Sequence, residues 1–453
     1  MALHDDCKSV RDIWLSLGCL ITRALIVSVC FFGCVTCASI NSHQPRKPFV
    51  VTWDSPSQQC RNKGVVINVT NHAFATNSME TFNGDVVTIF YGIGRFPYYE
   101  NGVPRDGGLP QLGNLTAHLT QVTDDVVKLL PDPHNAGLAV IDFESWRPQY
   151  DSNFDSLDVY RVESDALVVS RHPGWSRDAV RREARREFDA AARRYFERTL
   201  AVAVALRRES VWGYYGFPDC YDHAQLQYCS ERMRARDDQL SWLFANSRAL
   251  FPSIYLNSGR LIVNNKAGDD GHRGHFDYVH AQLHEALRVS NASGAAPAVA
   301  IFPYTSYAYE GRPDALLTTA DLANTVGQAA DLGLPGVVVW GSSASVGSAR
   351  RCRALAAYLQ RTLAPFVDYV VARATVCGRE LCSLRGRCAL RDALVASPAV
   401  AYASRRRMLA SYRRYRSGKG HDGANTMKEN YYCKCYEGWK GKHCDERIGM
   451  TSD

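Results

Sequence analysis

Eight short apolar runs rich in β-forming residues recur between about residues 48 and 370, and segments of helical pattern separate them. Several runs are apolar at every position, which is typical of parallel strands that helices cover on both faces. Eight such strands predict an α/β fold, a (β/α) barrel with insertions. A doubly wound open sheet is the alternative. The runs are FVVTW (49–53), GVVINV (64–69), VVTIFY (86–91), LAVIDFE (138–144), VWGYYG (211–216), LFPSIYL (250–256), AVAIFPYT (298–305) and GVVVWG (336–341).

The clearest helical pattern lies at 176–209, where apolar residues recur at helical spacing between charged ones. Its many arginines could bind a polyanion, but the interleaved acidic residues favour a solvated face. Residues 319–332 and 347–364 are further helix candidates. The formal net charge of +7 is compatible with a polyanionic partner without being evidence for one. No glycine-rich phosphate-binding motif follows any strand, so we expect neither a nucleotide site nor a nucleic-acid partner.

Residues 1–38 have the pattern of a signal peptide. The apolar run at 24–38 is short for a membrane span and ends in small residues that signal peptidase accepts. The alternative is an uncleaved anchor, because LGCLIT (17–22) extends the apolar stretch. Cleavage predicts a secreted, extracellular protein with no stable membrane span, and a lysosomal location is the alternative. Three tripeptides that accept N-linked glycans fit this route and begin at Asn68, Asn114 and Asn291.

The 15 cysteines indicate an oxidising compartment, and their odd number indicates that some are absent from the mature protein. Removal of residues 1–38 takes away five of them and leaves an even set. An even number in a secreted protein favours complete pairing into disulfide bonds. The remaining cysteines are Cys60, Cys220, Cys229, Cys352, Cys377, Cys382, Cys388, Cys433, Cys435 and Cys444.

The organisation of the chain changes after residue 370, where six of these cysteines cluster. Their order, Cys-x4-Cys-x5-Cys and then Cys-x-Cys-x8-Cys, resembles an EGF-like module. The segment 389–432 would be a basic insertion in that module, and we expect it to be mobile. Zinc binding is the alternative, which the absence of C-x2-C pairs disfavours. The resemblance to the module implies the bonds Cys377–Cys388, Cys382–Cys433 and Cys435–Cys444.

Two carboxyl groups, Asp142 and Glu144, stand at the C-terminal end of an apolar strand, where barrel enzymes place their chemistry. Side chains alternate along a strand, so both carboxyls point to the same side. Two carboxyls this close cannot both ionise freely, and one should hold a proton as a general acid requires. For an isolated D-x-E pattern, a pair of carboxylates in ordinary salt bridges is the commoner explanation.

The spacing of the pair also limits the mechanism. A glycosidase usually places its two carboxyls on opposite sides of the scissile bond, whereas Asp142 and Glu144 approach from one side. They therefore suit an acid and its orienting partner better than an acid and a nucleophile. If the protein is a glycosidase, its nucleophile comes from elsewhere, and an acetamido group of the substrate is a known source.

Several motifs are specific in combination with the cysteine-rich tail. They are VVTIFY (86–91), IDFESWRP (141–148), WGYYGFPDCY (212–221), SRALFPSIYL (247–256) and GVVVW (336–340). Through them, the chain resembles the hyaluronidase family of glycoside hydrolases, which includes the mammalian and bee-venom enzymes. The resemblance implies a distorted (β/α) TIM-like barrel at 48–370 and a small EGF-like domain at 371–448. It also implies endo-hydrolysis of hyaluronan at the β-1,4 bond after N-acetylglucosamine, without a metal ion or cofactor.

The resemblance also assigns roles to individual residues. Glu144 matches the general acid/base, and Asp142 matches the residue that positions the acetamido nitrogen and shares a proton with Glu144. Tyr215 and Tyr255 match tyrosines of the −1 subsite, where the acetamido oxygen attacks C1 to give an oxazolinium-like intermediate with retention. Further substrate-binding positions are Tyr91, Asp219, Ser253, Gln282 and Trp340. The disulfide bonds that the family implies for the barrel are Cys60–Cys352 and Cys220–Cys229.

Gln282 is a departure from the family pattern, in which many members have arginine. A guanidinium can clamp a glucuronate carboxylate through two hydrogen bonds, and an amide cannot. Chondroitin, which differs mainly at one hydroxyl epimer and in sulfation, is therefore an alternative substrate. A glycan-binding protein without hydrolytic activity is the alternative outside the enzymes. We expect a monomer.

Overall fold

Parallel strands and their connecting helices form a barrel in the computed structural model, within a compact unit that spans residues 46–453. The predicted signal segment at 1–38 lies outside the described residues, and so do five internal segments. None of the helices described is long and apolar enough to cross a membrane. The structure describes residues 47–220, 228–258, 272–294, 298–391, 398–419 and 428–448.

Short strands and longer helices alternate along the chain. The strands are β1 Val50–Asp54, β2 Phe74–Thr76, β3 Val87–Phe90, β4 Tyr98–Glu100, β5 Val103–Arg105, β6 Leu138–Ile141, β7 Val211–Tyr214, β8 Ala249–Leu250, β9 Ala300–Ile301, β10 Tyr304–Ser306, β11 Ala308–Tyr309, β12 Arg312–Leu316, β13 Gly336–Trp340, β14 Gly386–Leu390, β15 Tyr431–Cys435, β16 Trp439–Lys440 and β17 Glu446–Arg447. The helices are α1 Leu115–Leu129, α2 Val159–Arg171, α3 Arg177–Leu206, α4 Glu231–Gln239, α5 Ser241–Asn246, α6 Arg273–Ala292, α7 Thr319–Leu322, α8 Gln328–Asp331, α9 Ala349–Tyr358, α10 Ala364–Cys382 and α11 Pro398–Arg416.

The barrel wall consists of parallel ladders in the order β2-β1-β13-β10 and β3-β6-β7, with the pair β8-β9 between them. Isolated parallel bridges, Tyr215 with Phe251 and Ser253 with Tyr304, connect these ladders. This closure around parallel strands confirms the predicted TIM-like barrel. No ladder joins β2 to β3 among the described residues, so the barrel is distorted there.

The Asn77 side chain spans the seam between β2 and β3. Its Oδ1 accepts from the amides of Val86 and Val87, both at 2.9 Å. Its Nδ2 donates to the carbonyls of Thr81 at 2.7 Å and Val87 at 2.6 Å. A Cβ added to Gly84 would lie 2.6 Å from the Asn77 Cγ, so only glycine allows this approach. One buried amide thus takes the place of a missing strand ladder.

The predicted run at 64–69 was wrong as a strand. It follows the short helix Ser57–Lys63 and buries Ile67 and Val69 without pairing, while β2 enters the wall a few residues later. The run at 250–256 was only partly right, because the ladder ends at Leu250 and Pro252 has no amide to continue it. Pro303 likewise divides the run at 298–305 into β9 and β10.

The long predicted helix is confirmed as α3, where the Ser176 hydroxyl caps the first turn by accepting from the amide of Ala179. The other two helix predictions are confirmed, each as a continuous stretch in which two α-helices are joined. Ala323–Gly327 joins α7 to α8 as a π-helix, and Leu359–Leu363 joins α9 to α10 in the same way.

The C-terminal segment packs directly on the barrel, because α10 runs through residue 370 and contacts the hairpin of β14 and β15. The division into two domains and the EGF-like identity of the tail stay predictions. The described residues form five disulfide bonds, with the pairing that the resemblances implied. The expectation of a mobile insertion at 389–432 was wrong for residues 398–416, which form α11. Met408 and Tyr412 anchor this helix in the core.

Candidate active site

Alternation along the strands determines which side chains enter the barrel. Leu138 and Val140 of β6 belong to the inner core, whereas Ala139 and Ile141 pack outward against the helices. Asp142 and Glu144 continue the inward positions beyond the strand, and both line a cavity of about 120 Å³. The other lining residues are Ile89, Val140, Tyr215, Tyr255, Tyr304 and Trp340.

The predicted carboxyl pair lies together in this cavity. Burial and, to a smaller extent, the charge of Glu144 raise the pKa of Asp142 to about 7, although the nearby Arg147 lowers it. Asp142 Oδ1 is buried and has no hydrogen-bond partner among the described residues. A protonated Asp142 beside Glu144 is the arrangement in which one proton is shared between an acid and its partner.

Three aromatic rings, tilted against one another, form one wall of the cavity. The ring centroids of Tyr215 and Tyr255 lie 6.3 Å apart, and those of Tyr255 and Trp340 lie 5.9 Å apart. The hydroxyl of Tyr215 is hydrogen-bonded to Ser253, and burial raises the pKa of both tyrosines well above the usual range. These hydroxyls therefore stay protonated, and they can donate hydrogen bonds to a neutral polar group of a ligand.

Tyr91 and Trp340 meet at the mouth of the cavity. Trp340 Nε1 donates to the Tyr91 hydroxyl at 2.9 Å, and the Tyr91 ring stands edge-on to Phe82. Tyr91 is 54% exposed although it follows a buried strand. An exposed aromatic ring fixed by a neighbouring indole offers a flat apolar surface to a ligand at the entrance.

Two side chains of the site went unrecognised in the sequence. Asp54 ends β1 and is completely buried, and burial raises its pKa well above the ordinary range. Its Oδ2 accepts from the Tyr304 hydroxyl at 3.5 Å. The signal that could have found Asp54 is the same as for Asp142, a carboxyl at an inward position where an apolar strand ends. No sequence pattern distinguished Tyr304 as a site residue, since buried tyrosines are common.

Asp219 and Gln282, two of the predicted substrate-binding residues, pair with each other, and neither is among the residues that line the cavity. Gln282 is 1% exposed, and its Nε2 donates to Asp219 Oδ1 at 3.0 Å. The same oxygen accepts from the Cys220 amide at 2.7 Å. Gln282 thus uses its amide to hold an acidic side chain in place, rather than presenting it at the surface of the cavity.

Two clusters have the spacing of metal ligands, and neither includes Asp142 or Glu144. His272 and His275 both contact Asp321 Oδ1, at 3.0 and 2.8 Å. The second cluster is Cys229, Asp237 and Glu285, and its sulfur is already bonded to Cys220. The described residues therefore bring no metal-ligand set to the carboxyl pair.

Known proteins share both the sequence and the fold. A family model described as hyaluronidase matches residues 39–448. Hyaluronidase-1 of Mus musculus is 36% identical over 420 residues, which cover 88% of this chain and 87% of that protein. Hyaluronidase-2 of Ovis aries is 35% identical over 456 residues, covering 95% and 92%.

Bee venom hyaluronidase provides the structural comparison. Its crystal structure in complex with a hyaluronic acid tetramer gives a TM-score of 0.65 at 34% sequence identity. The match covers 71% of this chain and 99% of that one. With a parallel barrel, an inward carboxyl pair and a family match over nearly the whole chain, the protein belongs to the hyaluronidase family of glycoside hydrolases.

Proposed function

We propose that this protein hydrolyses hyaluronan internally, at the β-1,4 bond that follows N-acetylglucosamine. The observation that carries the proposal is the Asp142–Glu144 pair, which enters an aromatic-lined cavity from one strand end. A pair on one side of the sugar leaves the opposite face of C1 without a protein nucleophile. Hyaluronan supplies its own nucleophile, because the acetamido oxygen of N-acetylglucosamine can reach C1 of the same sugar.

In the first step, Glu144 gives its proton to the glycosidic oxygen as the bond from that oxygen to C1 breaks. The acetamido oxygen forms a bond to C1, and the positive charge spreads over an oxazolinium-like ring. Asp142 accepts a hydrogen bond from the acetamido N–H and so holds its oxygen toward C1. The carboxyl proton between Asp142 and Glu144 can then move toward whichever group has become more basic.

In the second step, water attacks C1 and gives a proton back to Glu144, while the acetamido oxygen leaves C1. Two inversions at C1 give overall retention. Tyr215 and Tyr255 stay protonated, and we assign their hydroxyls to hydrogen bonds with the acetamido group and the neighbouring sugar oxygens. We assign Trp340 to packing against the acetamido methyl, because its indole lies beside the Tyr255 ring.

Glu144→Gln tests this assignment. The amide cannot donate a proton to the leaving oxygen, so we expect the rate of reducing-end release from hyaluronan to fall at least about a hundredfold. Thermal unfolding should be unchanged, since the substitution preserves shape. Glu310→Gln, at an exposed glutamate, is the matched control and should retain full activity. Substantial turnover by Glu144→Gln would remove Glu144 from the acid role.

Unsulfated chondroitin is the second candidate substrate, since it offers the same acetamido nucleophile and the same glucuronate as hyaluronan. Gln282 is buried against Asp219, so no guanidinium clamp at this position distinguishes the two polymers. Parallel assays on hyaluronan and unsulfated chondroitin decide between the two polymers. Binding of either polymer without release of reducing ends, from acid to neutral pH, would instead indicate a glycan-binding protein.

We also propose that the mature protein is secreted, with glycans at Asn68, Asn114 and Asn291. All three side chains are exposed, so a glycan would meet no steric obstacle from the described core. Treatment of the secreted protein with an endoglycosidase should lower its apparent mass. An unchanged mass would contradict the glycosylation.

A further inference from the structure

Helix α11 carries an exceptional concentration of positive charge. Its 19 residues include six arginines, and no acidic residue occurs from 398 to 419. The formal net charge of the whole chain is only +7. The remainder of the chain is therefore close to electroneutral, and the excess charge belongs to one surface element.

The arginines of α11 separate into a buried and an exposed group. Arg405 lies on the buried side with Met408 and Tyr412, which attach the helix to the molecule. At 100° per residue, the exposed arginines span about half of the helix circumference on the opposite side. Arg406 and Arg413 stand above one another, about 10.5 Å apart along the axis. The exposed arginines are Arg406, Arg407, Arg413, Arg414 and Arg416.

The arginine-rich helix α3 provides the contrast. There Arg186 pairs with Glu183, and Arg193 pairs with Glu197 at 2.9 Å. On α11, no carboxylate among the described residues lies within 4.0 Å of the guanidinium of Arg406, Arg413 or Arg416. A solvated charged face normally mixes both signs, as α3 does. The exposed face of α11 instead presents donors of one sign.

We propose that the exposed face of α11 is a binding surface for a sulfated glycosaminoglycan, separate from the catalytic cavity. Guanidinium groups bind sulfate oxygens through paired hydrogen bonds, and clustered ones match a chain of dense negative charge. Hyaluronan carries a carboxylate only on every second sugar, whereas sulfation adds charges between them. The proposal does not depend on hydrolytic activity.

The composition of the face argues against other polyanions. Anionic membranes bind amphipathic helices through an apolar face, but the apolar side of α11 is already buried in the protein core. Single-stranded nucleic acids require fully exposed aromatic rings for stacking, whereas Tyr412 of α11 is buried and Tyr415 is half-buried. A polysaccharide requires neither feature.

The surface is distinct from the cavity. Helix α11 contacts α6, α10 and the π-helical segment Ala323–Gly327, all on the outside of the barrel. The cavity is lined by residues at the strand ends, and none of its described lining residues belongs to α11. A glycosaminoglycan held on α11 would therefore leave the carboxyl pair accessible.

The test uses heparin as the sulfated probe and the full chain. Arg406→Gln, Arg413→Gln and Arg416→Gln are combined in one variant. The matched control combines Arg182→Gln, Arg194→Gln and Arg198→Gln on α3, which removes the same charge from exposed but dispersed positions. We expect the α11 variant to bind heparin at least about tenfold more weakly at about 0.15 M salt and with a shallower salt dependence. The α3 variant should change by less than about twofold, and both should release reducing ends from hyaluronan at the wild-type rate.

Several outcomes would overturn the proposal. Equal loss of heparin binding in the two variants would show that net charge alone matters. Failure of the wild-type protein to bind heparin at about 0.15 M salt would remove the site altogether. If unsulfated hyaluronan displaces heparin from α11 as well as chondroitin sulfate does, the surface does not require sulfate. Loss of binding to phosphatidylserine vesicles or duplex DNA, with heparin binding unchanged, would assign the face to that other polyanion.

Discussion

Asp142 and Glu144 enter the cavity two residues apart, and their environment makes them unequal. Asp142 is largely buried, lacks a hydrogen-bond partner at Oδ1 and has a pKa raised to about 7. Such a carboxyl holds a proton in the folded protein under conditions in which it would be ionised in the unfolded chain. Burial of this carboxyl therefore lowers the free energy of unfolding, and the size of that loss depends on pH.

Asp142→Asn should make the protein more stable at high pH. An unfolded aspartate ionises near pH 4, whereas folded Asp142 does so near pH 7, so wild-type stability falls as the pH rises between these values. The side-chain amide that the substitution introduces does not ionise, so the stability of the variant does not fall in this way as the pH rises. We expect the variant to gain about 2–4 kcal/mol over wild type at pH 8 and about none at pH 4. Hyaluronan hydrolysis should be severely reduced.

Urea unfolding at the two pH values measures this difference. Asp85→Asn, at an exposed aspartate, is the control and should show no pH-dependent gain. If Asp142→Asn shifts stability equally at pH 4 and pH 8, the carboxyl is not protonated in the fold and the shared-proton arrangement is wrong.

At the scale of single residues, the sequence was informative where two carboxyl groups stand together at the end of an apolar strand. The D-x-E pattern at a strand end predicted both a shared direction and a shared proton, and the structure puts both side chains in one cavity. Asp54 has the same position on β1 but no second carboxyl beside it, so it was overlooked. The placement of Gln282 behind Asp219 depends on how α6 packs, which no local pattern encodes.

At the scale of elements, the seam between β2 and β3 is the least regular part of the barrel. The Asn77 amide makes four hydrogen bonds to backbone groups across the seam, and the residue is only 1% exposed. Water cannot replace these bonds easily in a buried site. The seam therefore depends on one side chain for the pairing that other strands obtain from their ladders.

Asn77→Ala should weaken the barrel at this seam. It leaves buried backbone donors and acceptors unpaired, and we expect the free energy of unfolding to fall by about 2–4 kcal/mol. Asn77→Asp retains an acceptor for the amides of Val86 and Val87 but buries a carboxyl oxygen against the carbonyls that Nδ2 now bonds, so its effect should be at least as large. Exposed Asn62→Ala is the control. Equal stability of Asn77→Ala and the control in urea unfolding would contradict the role of the amide.

The strand predictions succeeded and failed for identifiable reasons. Apolar runs such as 86–91 and 336–341 became wall strands because they are buried on both faces and contain no proline. The run at 64–69 has the same composition, yet it sits beside Cys60, whose bond to Cys352 fixes the chain against α9. Ile67 and Val69 of this run are buried there without any pairing to a neighbouring strand. Tertiary constraints of this kind are invisible to a local pattern.

At the scale of the whole molecule, the Cys60–Cys352 bond encloses almost the entire barrel. Its cysteines are 292 residues apart, whereas those of the Cys220–Cys229 bond are 9 apart. A cross-link that closes a longer loop removes more entropy from the unfolded chain. The two bonds should therefore differ in their contribution to stability even though both are barrel disulfides.

Paired Cys→Ser substitutions test the difference. In the chain-entropy model, loss of Cys60–Cys352 costs about 5 kcal/mol and loss of Cys220–Cys229 about 2.5 kcal/mol. We expect the first variant to unfold at a clearly lower temperature than the second, with calorimetry as the measurement. A larger effect from the short loop would show that local packing, rather than loop entropy, dominates.

Helix α10 has a consequence for how the molecule loses its structure. The helix is continuous from Ala364 to Cys382, buries Phe366 and Tyr369 against the barrel, and then supplies two of the cysteines that hold the tail. Unwinding of the helix near residue 370 would disturb both the barrel packing and the attachment of the tail. We therefore expect the barrel and the tail to unfold together, and a protease that cleaves locally opened chain should find no easily cut linker near residue 370.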